Sequence, residues 1–339
     1  MKMKSLVLSI SAALAVSCAA VNAENNGKAL GEEFSFALVG DTPYGASREP
    51  EFDYVIDAIN SDREVDWVIH AGDIKAGGER CDDELLTARF EQFQQFDMPF
   101  VYSPGDNEWT DCHRTSNGSY LPTERLDYLR SLFFPVPGYT TGGETMAVST
   151  QANQPGFEKY VENTLFIKSG VIFSQIHVVG SNNDLAPWNQ VDPNDSYENP
   201  RADRLAEFQG RNTASLAWLD ETFRIAMESD APGVFITIHA NPGFEVDPSE
   251  PGRAGFNDFL ASLKLHAKEY GRPVVLAHGD SHIYFTDKPW MDNLTSEIVP
   301  YFSRVVTFGS AENHWLKIEV DPKGKEVFRI VPQLVEANF

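Results

Sequence analysis

Four separate apolar runs in this chain end in the same dipeptide: FALVGD at Asp41, VIHAGD at Asp73, VYSPGD at Asp106 and VLAHGD at Asp280. A fifth run, VFITIHA, ends in His239, and His282 stands two residues past Asp280. One Gly-Asp after a strand is weak information, since those residues make turns and cap helices. Four of them constrain the fold much more. In α/β sheets the carboxyl ends of the parallel strands share one edge, where ligands sit, so the pattern predicts a single edge crowded with carboxylates and imidazoles.

The segments between these runs have helical periodicity: Phe52, Val55, Ile56 and Ile59; Leu86, Phe90 and Phe93; Leu216, Leu219 and Phe223; Phe256, Phe259, Leu260 and Leu263. Strand-like runs rich in Val, Ile and Phe alternate with them at 34–39, 67–70, 100–102, 171–179, 234–238 and 274–276. This alternation predicts an α/β sandwich with a largely parallel centre. The tail differs, because the runs at 304–308, 315–320 and 326–331 follow one another without a helix and predict an antiparallel addition. No Gly-, Ser- or Pro-rich linker divides residues 24–339, which read as a single domain. Residues 135–156 and 181–200 read as long surface loops, either functional or plain insertions.

Residues 1–23 stand apart. Lys2 and Lys4 precede an apolar run from Leu6 to Ala20 and a small-x-small pattern, Val21-Asn22-Ala23, which together read as a signal peptide. Lipidation at Cys18, after Ala15-Val16-Ser17, is the second reading. The apolar run is shorter than the roughly 20 residues that span a bilayer, so the expected location is periplasmic or secreted, with no transmembrane segment. Removal of Met1–Ala23 takes the net charge from −23 to −25. So acidic a chain excludes duplex nucleic acid as a partner, because polyanions are bound by clustered Lys and Arg. Of three cysteines, Cys81 and Cys112 lie outside the leader and are expected to form a disulfide in an oxidising compartment, with two buried thiols as the alternative.

Crowded carboxylates raise one another's pKa and cannot all ionise unless something positive sits among them. A divalent cation meets that need. With carboxylate, imidazole and amide donors and no thiolate, Mn, Mg, Fe or Zn suits better than copper or a cluster.

In order and spacing, these residues resemble the calcineurin-like metallophosphoesterases, whose motifs run Asp-x-His, Gly-Asp, Gly-Asn-His-Asp/Glu, a lone His after a strand, and Gly-His-x-His. Here they read Asp41-Thr42-Pro43, Gly72-Asp73, Gly105-Asp106-Asn107-Glu108, His239 and Gly279-Asp280-Ser281-His282. The resemblance spans nearly all of the chain after the leader. It implies a four-layer α/β/β/α sandwich and two divalent metal ions. Asp73 would bridge them, with Asp41 and His282 on the first and Asp106, His239 and Asp280 on the second. It also implies hydrolysis of a small phosphomonoester or phosphodiester, in which the metals polarise the phosphoryl oxygens and a metal-bound hydroxide attacks in line.

The departures from the family pattern bear on catalysis. Pro43 cannot ligate, Asp106 replaces an Asn, and Asp280 replaces a His. Asn107 stands where the catalytic histidine is expected; an amide hydrogen-bonds to phosphate but cannot act as a general acid. A shifted alignment would instead make Asn107 the ligand. Candidates to complete the site are His113, as a replacement acid or a plain loop histidine, and Lys75 and Arg114, as phosphate clamps or charge balance. His70 and His278 are expected in the strand packing, Glu108 in the loop's own support, and Trp109 either in a pocket wall or in the core. The competing function is a metal- or phosphate-binding protein that has lost turnover.

Overall fold

Strand β1 (Phe34–Val39) carries the logic of the fold in its alternation: Phe36 and Leu38 face one apolar cluster, Ala37 and Val39 another. A strand with two buried faces needs a layer on each side. The computed structural model, which describes residues 31–291 and 298–339, supplies both. The expected signal peptide, Met1–Ala23, and Cys18 lie outside the described residues.

The first sheet combines β1 with β2 (Val65–His70), β3 (Pro99–Tyr102) and β4 (Thr141–Gly142). The second begins with β5 (Ser149–Thr150), β6 (Thr164–Lys168), β7 (Val171–Gln175), β8 (Val234–Thr237) and β9 (Val274–His278). It continues through β10 (Phe285–Asp287) and β11 (Phe302–Val306), before β12 (Trp315–Val320) and β13 (Phe328–Gln333) return to the first sheet. The strand orders are β13-β12-β1-β2-β3-β4 and β10-β11-β9-β8-β7-β6-β5. β1-β2-β3 and β7-β8-β9-β11 are parallel, and the outer strands pair antiparallel.

Helices α1 (Glu49–Ser61), α2 (Asp83–Phe93) and α3 (Pro122–Phe133) cover the outer face of the first sheet, burying Phe52, Phe93 and Leu129 against Val39 and Phe100. Helices α4 (Ala202–Glu228) and α5 (Asn257–Tyr270) do the same for the second, with Leu219, Phe223 and Leu263 over Ile236 and Leu276. Between the sheets the side chains of Phe36, Trp67, Phe173 and Phe235 interlock. Phe36 stacks on Trp67 at 5.1 Å and meets Phe235 edge-on at 5.0 Å. The fold is a four-layer α/β/β/α sandwich.

The tail is a partial correction. β12 and β13 add antiparallel strands to the first sheet, but β11 pairs parallel with β9 in the second. The expected loop at 135–156 includes β4 and β5, whose two-residue pairings are too short to leave a periodic signal. Helix α3 and strand β6 were not anticipated from the sequence.

Candidate metal centre

The carboxyl ends of β1, β2, β3, β8 and β9 meet at one edge, and each chain end turns there to aim a side chain inward. Asp41, Asp73, Asp280 and His282 have positive φ, from 54° to 69°, which non-glycine residues seldom adopt. The glycines of the Gly-Asp pairs serve close approach: a Cβ on Gly105 would lie 2.2 Å from Asp73 Oδ1, and one on Gly279 would lie 2.6 Å from Asp41 Oδ2. Gly105 and Gly279 thus make room for the aspartates of two other pairs, Asp73 and Asp41.

Two groups of potential ligand atoms result: Asp41, Asp73 and His239, and Asp106, His239 and Asp280, the atoms in each lying within 4.8 Å of one another. His239 Nε2 stands 3.2 Å from Asp73 Oδ1 and 3.1 Å from Asp106 Oδ1, while its Nδ1 donates to the carbonyl of Ala71 at 2.9 Å. His282 is set the same way, with Nδ1 donating to the Ser310 carbonyl at 2.8 Å and Nε2 3.6 Å from Asp41 Oδ1. A backbone carbonyl that holds the Nδ1 proton leaves Nε2 as the ligand atom. Asp41 accepts the backbone N–H of Asp280 at 2.8 Å and the hydroxyl of Thr307 at 3.2 Å, and Asp280 accepts the N–H of Asn241 at 3.0 Å.

The electrostatics call for a cation. Burial pushes the carboxyl of Asp41 up to about 6 and that of Asp73 well above its usual range. Burial also raises Asp280, with the charge of Asp106 adding to it. Burial works to lower His239, but Asp73 and Asp106 outweigh it and hold the imidazole well above its usual value. The oxygen and imidazole donors, without a thiolate, fit a hard or borderline divalent ion. The residues that would hold it are Asp41, Asp73, Asp106, His239, Asp280 and His282.

The segment running from the end of β3, YSPGDNEWTDCH from Tyr102 to His113, is organised by Glu108 and Asn107. Glu108 is buried and turned away from the cleft, and its Oε1 accepts the N–H of Gly105 at 2.6 Å, the hydroxyl of Tyr102 at 2.6 Å and the N–H of Asp73 at 3.2 Å. Asn107 Nδ2 donates to Asp73 Oδ2 at 2.5 Å, to Tyr44 Oη at 3.1 Å and to the Lys75 carbonyl at 3.1 Å, and its backbone N–H reaches Asp73 Oδ1 at 3.0 Å. A disulfide joins Cys81 to Cys112, tying the segment after Asp73 to the one after Asp106. Trp109 is wholly buried against His177 and Arg211, a core residue and not a pocket wall.

Other expected residues fall outside the ligand cluster. Lys75 is a correction to the phosphate-clamp expectation: it is fully buried and its ammonium donates to the carbonyls of Ala76 at 3.1 Å and Glu79 at 2.9 Å. Arg114 pairs with Asp111 at 2.6 Å. His113 is buried and lines a cavity beside Arg114, where burial and the neighbouring guanidinium lower it to about 4. His70 and His278 sit in the strand packing, both lowered to about 4 by burial.

Sequence reasoning missed Tyr44 and Ser181. Tyr44 Oη donates to Asp73 Oδ2 at 2.9 Å and lies 3.4 Å from His282 Nε2, an oxygen beside the first ligand group where Pro43 contributes nothing. Its proximity to Asp41 in the chain was an available signal. The Ser181 hydroxyl lies 2.8 Å from Asp106 Oδ2 and 2.9 Å from Asp111 Oδ1. It comes from a left-handed turn, Ser181–Asp184, clamped by Arg211 on Asn183, and nothing in the local sequence announces it.

Residues 34–284 match the family described as calcineurin-like phosphoesterase. No curated protein matches the chain. Among solved structures, one titled "Structure of PhoD" aligns at 12% identity and a TM-score of 0.52, covering 86% of this chain and 64% of that one. A second, "GAP50 the anchor in the inner membrane complex of Plasmodium", aligns at 12% identity and a TM-score of 0.45, covering 90% of this chain and 89% of that one. With the family match spanning most of the chain, from β1 to the last motif, the protein belongs to the calcineurin-like phosphoesterase family.

Proposed function

We propose that this protein is an exported, metal-dependent phosphoesterase that cleaves small phosphomonoesters or phosphodiesters, most readily those with good leaving groups. The observation that carries the reading is the pair of ligand groups that share His239 at the common strand edge. Divalent ions held there would polarise the phosphoryl oxygens and provide the attacking hydroxide at neutral pH. The chain's own residues do the rest. Backbone carbonyls fix the rings of His239 and His282, and Glu108 fixes the two loops that present Asp73 and Asp106.

The leaving group is where this chain differs. Asn107 has no acidic proton, and its amide is committed to Asp73, Tyr44 and the Lys75 carbonyl. A leaving oxygen would therefore depart with little protonation, which favours aryl over alkyl esters. Export is supported by the leader-like residues 1–23 and by the disulfide, which suits an oxidising compartment.

The clamp of Asn107 on Asp73 also favours a second reading, a metal- or phosphate-binding protein without turnover. The deciding experiment is release of phenol from phenyl phosphate by the protein lacking residues 1–23, supplied in turn with Mn, Mg, Fe and Zn. Metal-dependent release supports the enzyme; metal binding without release supports the second reading.

A further inference from the structure

Beside the metal centre, the segment from Thr110 to Arg114 and the loop from Ser181 to Gln190 enclose a cavity of about 260 Å3. It adjoins the ligands directly, because Ser181 lines it and reaches Asp106 Oδ2 at 2.8 Å. Its volume lies below the roughly 300–1,000 Å3 of sites that enclose whole drug-sized ligands. It fits one appended group of a substrate held at the metals.

Three side chains on its lining have unspent donors. Arg114 spends one terminal nitrogen on Asp111, at 2.6 Å, and on the Gly77 carbonyl, at 3.5 Å. Its Nε and second terminal nitrogen have no partner among the described residues. Gln190 gives its carbonyl oxygen to the N–H of Thr115 at 2.6 Å, which leaves the amide NH2. His113 is 8% exposed and neither ring nitrogen is hydrogen-bonded among the described residues. Both oxygens of Asp111 are engaged, Oδ1 with Ser181 and Oδ2 with Arg114. The other carboxyl on the lining, Asp184, accepts from Trp188 Nε1 at 2.8 Å through Oδ1 and leaves Oδ2 without a hydrogen-bond partner among the described residues; burial and the charge of Glu207 raise it well above its usual range, which keeps it protonated and neutral. Unpaired donors, one of them a guanidinium, are matched by an anionic group with several acceptor oxygens.

We propose that this cavity binds a second anionic group, a carboxylate or a phosphate, carried on the part of the substrate beyond the reacting phosphoryl group. Resting on the phosphoesterase reading above, this makes the preferred substrate a phosphoester of an acidic molecule and not of a neutral alcohol. Arg114 supplies the charge, and Gln190 and His113 supply further hydrogen bonds.

The test is calorimetric and needs no turnover. Metal-loaded protein is titrated with 4-carboxybenzylphosphonate, with its neutral methyl ester, and with para-xylylene bisphosphonate. Both bis-anionic compounds are expected to bind about tenfold more tightly than the ester, as one charge-assisted hydrogen bond gives. The tighter of the two tells carboxylate from phosphate. In Arg114→Met the preference should fall to within about twofold, and in Gln190→Ala it should shrink without vanishing. Gln190→Ala carries the test if Arg114→Met fails to fold. Equal binding of all three compounds to the wild type overturns the cavity's role and leaves the phosphoesterase reading intact if phenyl phosphate is hydrolysed. Absence of phosphonate binding together with absence of phenol release overturns both.

Discussion

Glu108 accepts the backbone N–H of Asp73 at 3.2 Å across 35 residues of chain, using the oxygen that also takes the N–H of Gly105 at 2.6 Å. One buried carboxylate thereby joins the ends of β2 and β3. Replacing it by alanine would strand those two N–H groups and the hydroxyl of Tyr102, each costing about 1–3 kcal/mol when buried without a partner. Glu108→Ala is expected to lose at least about 2 kcal/mol in denaturant unfolding and to bind less metal, because Asp73 and Asp106 lose their common brace. An unchanged unfolding midpoint would count against this.

Asp73 belongs to the first ligand group, 3.2 Å from the His239 that both groups share, and is hydrogen-bonded by Tyr44 and Asn107. Asp73→Asn should remove most of the bound divalent metal by elemental analysis, since an amide brings neither the charge nor the second anionic oxygen. Equal metal content in the two proteins would refute Asp73 as a ligand.

Metal binding should strengthen with pH. Burial pushes Asp41 up from 3.8 to about 6, Asp73 lies well above its usual range, and His239 is held high by Asp73 and Asp106 against the effect of burial. Groups whose pKa rises on folding stabilise the metal-free protein below their ordinary pKa, and that stability is lost as pH rises through the folded value. An ion needs these ligands deprotonated, so it gains over the same window. The gap in Tm between metal-loaded and chelated protein is expected to widen from about pH 4 to about pH 7. The buried His70, His177 and His278, all lowered to about 4, act in the opposite direction, but they do so in both forms and cancel from the difference. A gap that narrows as pH rises would show that the cleft does not hold the ion.

The Cys81–Cys112 disulfide closes a 31-residue separation, for which a chain-entropy estimate gives roughly 3–4 kcal/mol. Reduction should lower Tm and weaken metal affinity together, because ligand atoms must be held at about 2.0–2.6 Å from an ion. Thiol titration of the denatured, unreduced protein provides the direct check, and two free thiols would refute the bridge.

Aryl phosphates should be hydrolysed with much higher kcat/KM than alkyl phosphates, since Asn107 cannot protonate the leaving oxygen. Comparable rates would mean that another group donates the proton. His113→Ala would then be the variant to assay.

The architecture was legible because its signals are local. Strand β12 lies where its apolar run places it, and the four Gly-Asp pairs mark strand ends whatever the strands pair with. The ligand candidates share this property, since a strand end in a parallel sheet can face only one edge. What the tertiary structure alone decided is which group each side chain meets. Lys75 turns to two carbonyls within its own loop, so its distance from Asp73 in sequence said nothing about the direction of its ammonium. Ser181 reaches Asp106 from 75 residues away, and β11 pairs with β9 in the sheet that the neighbouring β12 does not join. Hydrophobic periodicity specifies which face of an element is buried. It carries no information about partners that are brought together only when the layers pack, and hydrogen bonds and ion pairs between distant segments are fixed at that stage.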